Sequence, residues 1–194
     1  MVFFSSSEAS SSCRNGLSRT ILRGEAAPAL DAGRRGKHME KIVFITPDFA
    51  VTGQLGASDF SEVARLGFGT VINNRPDGEE DGQLHSDAAA SLAWRSGLAY
   101  HYIPSGKLDL FSDPVVDAAE RVIADSAGEK VLAYCKSGTR SAIIWAAASA
   151  RGLAVEEVLS LLANAGFDFD FLSDEFGEQA LAGSRREAAL AKAA

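Results

Sequence analysis

From Lys41 onward, short runs of branched and aromatic residues alternate with stretches in which apolar positions recur every three or four residues. Lys41-Ile42-Val43-Phe44-Ile45-Thr46 and Ala50-Val51-Thr52 read as strands, separated by the turn-forming Pro47-Asp48. Asp59–Leu66 reads as a short helix, with Ser58 placed to cap it and Gly67 placed to end it. Thr70-Val71-Ile72-Asn73 is a buried strand followed by a polar turn region over 74–82. A second helix runs from a capping Ser86 to about Ser96 and closes at Gly97, and Leu98–Ile103 is a strand ended by Pro104. Pro114 belongs to the first turn of a third helix reaching about Ala127, with Val115, Val116, Ala119 and Val122 on one face. Lys130–Tyr134 is the most strand-like run; an Ala-rich helix to Arg151 follows its loop, then an amphipathic helix facing inward through Val155, Val158, Leu161, Leu162 and Ala165. Strands alternating with helices of this length need crossovers. The pattern therefore predicts an α/β fold, one domain with a central, largely parallel sheet flanked by helices.

The two ends of the chain break this rhythm. Residues 1–40 hold seven serines and five arginines without periodicity, and carry net +2 against −9 for the remainder. They are expected to be a disordered extension outside the fold. Glu8, Glu25 and Asp31 argue against a transit peptide, and Met39, just before the first strand, is a second candidate initiator. The domain is expected over 41–178, with 179–194, rich in Ala and basic residues, as a tail or frayed helix.

Charge and composition remove several classes of function. The 194 residues carry a net charge of −7, whereas a nucleic-acid binder must cluster Lys and Arg against phosphates. The longest apolar run, Ala142–Ala150, is far too short for the roughly 20 residues that span a bilayer, so no membrane contact is expected. Cys13 and Cys135 lie too far apart for a disulfide framework, which suits a reducing, cytoplasmic setting with Cys13 inert. No metal or cofactor is expected. His85 and His101 are isolated, Gly67-Phe68-Gly69 carries no nucleotide signal, and Asp168, Asp170 and Asp174 lack the glycine and terminal Glu of a calcium loop. Their alternation with Phe167, Phe169 and Phe171 predicts aromatics packed inward and acids in water.

The chemistry gathers at Cys135-Lys136-Ser137-Gly138-Thr139-Arg140-Ser141, between the strongest strand and a helix. Backbone N–H groups of such a loop and of the first helical turn have no intrahelical partner and converge with the positive end of the helix dipole, which makes an oxyanion site. A cysteine at its rim is favoured as the thiolate. Arg140 offers a planar fork for two oxygens of a tetrahedral anion. Lys136, Ser137, Thr139 and Ser141 add donors, and Gly138 supplies the turn. Arg75, in Asn73-Asn74-Arg75-Pro76-Asp77-Gly78-Glu79-Glu80, stands at the carboxyl end of a strand, where open α/β sheets bind ligands; it is expected to hold a substrate or to brace the loop.

The Cys135 loop resembles two families. Cysteine-dependent protein phosphatases carry Cys-x5-Arg-Ser/Thr, and single-domain rhodaneses carry Cys-x-Ser-Gly-x-Arg-Ser with a persulfide on the cysteine. Cys135 to Arg140 is Cys-x4-Arg, of rhodanese length, and Tyr134 stands where phosphatases place a His. With Ile45–Leu55, Val71–Glu80 and Val131–Ser141 taken together, the chain over about Lys41–Gly166 resembles the phosphatase-like domain of the beta-lactamase hydrolase-like proteins. The resemblance implies a dual-specificity-phosphatase-like fold, and a family described both as phosphatase-like and as sulfur transferases. It also implies a general acid after the strand that precedes the catalytic one. Asp109 and Asp113 are the candidates; Asp113 better suits capping the helix entered at Pro114, which leaves Asp109. The expected function is phosphoester hydrolysis on Cys135 and Arg140. Sulfur transfer through a Cys135 persulfide is the alternative, and a non-catalytic oxyanion sensor is a third class. The partner is then a phosphorylated or sulfur-donor substrate, small molecule or protein.

Overall fold

The computed structural model describes residues 39–193. Most of the extension expected at 1–40, Cys13 included, lies outside the described residues. Met39 and Glu40 already belong to the fold: Met39 packs on the core, and the Glu40 carbonyl accepts the Thr52 hydroxyl at 3.1 Å.

Five strands, β1 (Val43–Phe44), β2 (Phe49–Thr52), β3 (Phe68–Asn73), β4 (Ala99–Tyr102) and β5 (Lys130–Tyr134), form one sheet in the order β1-β2-β5-β3-β4. Only the β1–β2 pair is antiparallel; β2–β5, β5–β3 and β3–β4 are parallel. The helices are α1 (Asp59–Arg65), α2 (Ser86–Arg95), α3 (Asp113–Asp125), α4 (Thr139–Ser149), α5 (Val155–Asn164) and α6 (Ser173–Ala193). This is the α/β class that the alternation predicts. None of the helices among the described residues is long and apolar enough to cross a membrane.

Alternation along the central strands splits the core between the sheet's two faces, as strands buried on both sides require. Val131 and Ala133 of β5, Ile72 of β3 and Val51 of β2 join the larger cluster with α3, α4 and α5. Leu132, Tyr134, Val71 and Ala50 join the smaller one with Phe60 and Val63 of α1 and Ala89 and Ala93 of α2. Helix α4 is apolar nearly all round and is buried from Ser141 through Ala148, because it lies between the sheet and the outer helices α5 and α6.

Several local expectations change. Ser58 has helical backbone angles and makes no side-chain cap; Asp59 instead accepts the Gly56 N–H at 2.7 Å. Ser86 is the first helical residue of α2, not its cap. The Asp77 carboxylate, nine residues upstream, takes both its N–H (2.8 Å) and its hydroxyl (2.5 Å). Likewise Asp113 is the first residue of α3, with Ser112 at the cap position. Phe167 and Phe169 pack inward, but Phe171 is 74% exposed, because a 3-10 turn at Asp170–Leu172 interrupts the alternation. Helix α6 runs unbroken through the boundary expected at 178, with Gln179 buried and donating to the Phe111 carbonyl.

Candidate active site

Parallel pairing brings the carboxyl ends of β2, β3, β4 and β5 to one rim of the sheet, and the loops leaving them are stitched together there. The Asn74 N–H bonds the Tyr134 carbonyl (2.8 Å), the Ser105 N–H bonds the Asn74 carbonyl (3.1 Å), and the Asn74 side-chain amide bonds the Ile103 carbonyl (3.1 Å). Cys135 is the first residue beyond β5 and is 1% exposed.

The loop from Cys135 to α4 turns on Gly138, whose φ of +85° suits only glycine without strain. A side chain there would also lie 3.3 Å from the Thr52 carbonyl oxygen, so the loop is pressed against the end of β2. The turn points the Gly138 N–H at the Cys135 Sγ, 3.1 Å away, and α4 starts at once with Thr139. The sulfur thus receives a backbone donor at a helix N-terminus, an arrangement that stabilises negative charge. Ser137 and Thr139 hydroxyls bond each other at 3.1 Å. Lys136 is exposed and stands 3.6 Å from Glu80. The Ser141 hydroxyl is buried without a hydrogen-bond partner among the described residues.

Arg140 closes the cradle. Its Nη1 donates to Glu79 Oε1 (2.7 Å) and to the Ser105 carbonyl (2.8 Å), and its Nη2 donates to Glu79 Oε2 (2.8 Å). A guanidinium carries five N–H donors. Three are engaged here, and the two left, on Nε and Nη2, form one edge suited to gripping two oxygens of a tetrahedral anion. The Cys135 sulfur lies close enough to interact with this guanidinium. Burial works against the Arg140 charge, but its bonds to Glu79 and the neighbouring sulfur outweigh that and hold its pKa above the ordinary arginine value. The bond from Arg140, joined by that from Arg75, holds the Glu79 carboxyl below the usual range.

Arg75 is 3% exposed and braces the loop instead of presenting its fork to solvent. Its Nε donates to Glu79 (2.9 Å), Nη1 to Gln54 (2.9 Å) and Nη2 to Glu80 (2.8 Å). Its backbone N–H donates to the side chain of Asn73, which in turn donates to the Tyr100 hydroxyl. That hydroxyl lies 3.4 Å from the Tyr134 hydroxyl, and burial pushes the Tyr134 phenol well above its ordinary pKa. Tyr134, in the place of a phosphatase His, is thus the buried end of a polar chain beneath the loop. Asp109 lies on the loop after β4, exposed, in a turn whose carbonyl accepts the Ser112 hydroxyl. No hydrogen bond ties its carboxylate to Cys135 or Arg140. Asp113 bonds Arg151 at 3.3 Å, on the side of the larger cluster.

Sequence reasoning singled out Cys135, Gly138 and Arg140, which the fold brings together, but missed Glu79, Gln54 and the Ser105 carbonyl. Two adjacent glutamates after β3 were the available signal, and they read equally well as a solvated turn. Among the described residues no group of His, Cys, Asp or Glu could hold a metal ion.

The model of the beta-lactamase hydrolase-like protein, phosphatase-like domain, matches residues 41–152. A beta-lactamase hydrolase-like protein of Xylella fastidiosa (strain Temecula1) is 41% identical over 106 residues, which is 55% of this chain and 24% of that protein. The match thus spans about a quarter of that relative's length. Among solved structures, a candidate phosphatase from Neisseria meningitidis superposes with a TM-score of 0.61 at 27% identity, covering 71% of this chain and 97% of that one. A kinase associated phosphatase, solved with its catalytic-site cysteine replaced by serine, gives 0.56 at 12% identity, covering 73% and 91%. The fold is that of the dual-specificity-type cysteine phosphatases.

Proposed function

Because the chain belongs to the family of the beta-lactamase hydrolase-like phosphatase-like domain, we propose that it hydrolyses a phosphoester with Cys135 as nucleophile. The observation that carries this reading is the pairing of a sulfur held by the Gly138 N–H with an Arg140 whose Nε–Nη2 edge is left for an anion. The phosphoryl oxygens rest on the backbone N–H groups of the loop and on that edge. The Cys135 thiolate attacks phosphorus; the S–P bond forms as the P–O bond to the leaving group breaks, and the leaving oxygen takes a proton. Asp109 is the candidate donor, through a movement of its exposed loop. Water then attacks phosphorus, the S–P bond breaks, and phosphate leaves as the thiolate is restored.

Two observations favour sulfur transfer as a second reading: the Cys-x4-Arg spacing, and an exposed Asp109 whose carboxylate makes no hydrogen bond to Cys135 or Arg140. A persulfide relay needs a thiolate and access but no such acid.

Purified protein assayed side by side on an aryl phosphate and on thiosulfate separates them. The expected result is aryl phosphate turnover that Cys135→Ser abolishes and that Asp109→Asn slows, most for poor leaving groups. Persulfide formation on Cys135 with only trace phosphate release would transfer the function to the second reading.

A further inference from the structure

Arginine residues near an anion cradle are commonly credited with holding the anion, and Arg75 invites that reading from its place after β3. The geometry points elsewhere: we propose that Arg75 is a positioning residue, which acts on the substrate only through Glu79 and Arg140. This inference rests on the oxyanion-binding role proposed above for Arg140.

Three observations carry it. Arg75 is buried, with its three nitrogens directed at Gln54, Glu79 and Glu80, so a ligand in the cradle has no approach to its fork. Glu79 is shared: Oε2 accepts from both Arg75 Nε and Arg140 Nη2, while Oε1 accepts from Arg140 Nη1. Among the described residues the Arg75 Nε is the one hydrogen-bond donor to Glu79 other than Arg140, so it holds the carboxylate on which the Arg140 guanidinium sits. Finally, Arg75 is itself anchored by segments that precede β5. Gln54 follows β2, and Asn73, which accepts the Arg75 N–H, ends β3. The relay therefore fastens the anion-gripping edge of Arg140 to two strands of the sheet. Charge supports the same arrangement. Glu79 and Glu80 beside the cradle would repel an incoming oxyanion, and Arg75, paired with both, offsets part of their charge without competing for the ligand.

A double-mutant cycle tests this, reading kcat and KM on an aryl phosphate, binding of inorganic phosphate by calorimetry, and the melting temperature. In the wild-type background Arg75→Lys keeps the charge and loses the planar fork; kcat is expected to fall about tenfold and phosphate affinity about fivefold, as for the loss of one well-oriented contact. In the Arg140→Lys background the same substitution is expected to change either value less than about twofold, since its route to the ligand is already cut. Gln54→Ala removes an anchor of Arg75 without touching Glu79 or Arg140; it is expected to show the same pattern at smaller size and serves if Arg75→Lys folds poorly. Equal losses in both backgrounds would make Arg75 a general structural residue and overturn the proposal, as would an unchanged wild-type-background variant. A wild-type protein that turns over aryl phosphate but ignores Arg75→Lys fails the relay alone. One that neither turns over aryl phosphate nor binds phosphate fails the reading of the site as well.

Discussion

Two arginines at opposite ends of α4 show what separates a structural charge cluster from a poised one. Arg151, just past α4, is 2% exposed and donates to Asp113, Asp117, Glu120 and Gln179. Arg186 of α6 joins the same two acids, Asp117 and Glu120. Every strong acceptor there comes from the chain itself, and the cluster ties α3, α4 and α6 into one layer. Arg140 is equally well held by Glu79 and the Ser105 carbonyl, yet it keeps one donor edge with no oxygen partner among the described residues, beside the Cys135 sulfur at a helix N-terminus. The chemistry of the two clusters is the same. The difference is that the Arg151 donors are met by acceptors of α3 and α6, whereas Arg140 keeps a donor edge beside the Cys135 thiol.

Breaking the comparison is most direct by making the same substitution in both clusters. Arg140→Lys is expected to lower turnover well beyond tenfold and to leave the melting temperature within about 2 °C, since its acid partner is partly solvated. Arg151→Lys is expected to do the reverse. A lysine cannot reach four acceptors, and the loss of about 2–3 kcal/mol, below the range for fully buried pairs because its acids are partly exposed, lowers the melting temperature by roughly 5–10 °C. Activity measured well below that temperature should stay within twofold. An activity loss from Arg151→Lys, or a large stability loss from Arg140→Lys, would erase the distinction.

A smaller effect sharpens the structural side. Helix α6 docks through Gly183, where a side-chain carbon would fall 2.4 Å from the Arg151 carbonyl oxygen, whereas Gly177 in the same helix has open space. Alanine gains about 1 kcal/mol of helix propensity at either site, but at Gly183 overpacking costs about 1–3 kcal/mol. Gly177→Ala should therefore raise the melting temperature by a few degrees and Gly183→Ala should lower it. Two increases would mean that α6 does not seat against Arg151.

The smallest effect is on pH dependence. The Arg140 bond lowers the pKa of Glu79, and the Arg151 bond lowers that of Asp117. A carboxyl depressed in the folded state contributes stability that is present above its unfolded value and lost as pH falls through the folded one. Stability should therefore hold from neutrality to about pH 5 and decline below it, the ordinary carboxyl range being about 3.9–4.3. Glu79→Gln should flatten part of that decline. An unchanged acid limb in thermal melts of Glu79→Gln would show that this ion pair adds nothing measurable.

Much of the fold was legible because strands and helices follow periods that a single sequence displays. Val131, Ala133, Leu132 and Tyr134 alternate between two core faces, and Val115, Val116, Ala119 and Val122 make a helical stripe. The caps were less legible. Ser58 and Ser86 have the residue type of a cap, but Ser58 makes no cap bond while Asp59 accepts the Gly56 N–H ahead of α1, and Asp77 takes the Ser86 N–H at the start of α2, outcomes settled by loop paths and not by residue preference. Phe171 points outward because one 3-10 turn shifts its phase.

The Cys135 loop stands on both sides of this division. Its nucleophile, glycine turn and helix start are consecutive residues, so local geometry follows from local sequence: Gly138 permits the positive φ, and the following turn supplies the helix dipole. That much the chain determined by itself. The direction of Arg140 it did not. Glu79 lies 61 residues away and the Ser105 carbonyl 35, and they meet Arg140 only because parallel pairing of β3, β4 and β5 places the ends of all three strands at one rim. A charge pair across such a distance leaves no periodic trace in the sequence. It exists because the sheet closes the gap, so the tertiary structure alone decided which edge of Arg140 meets Glu79 and which faces away from it.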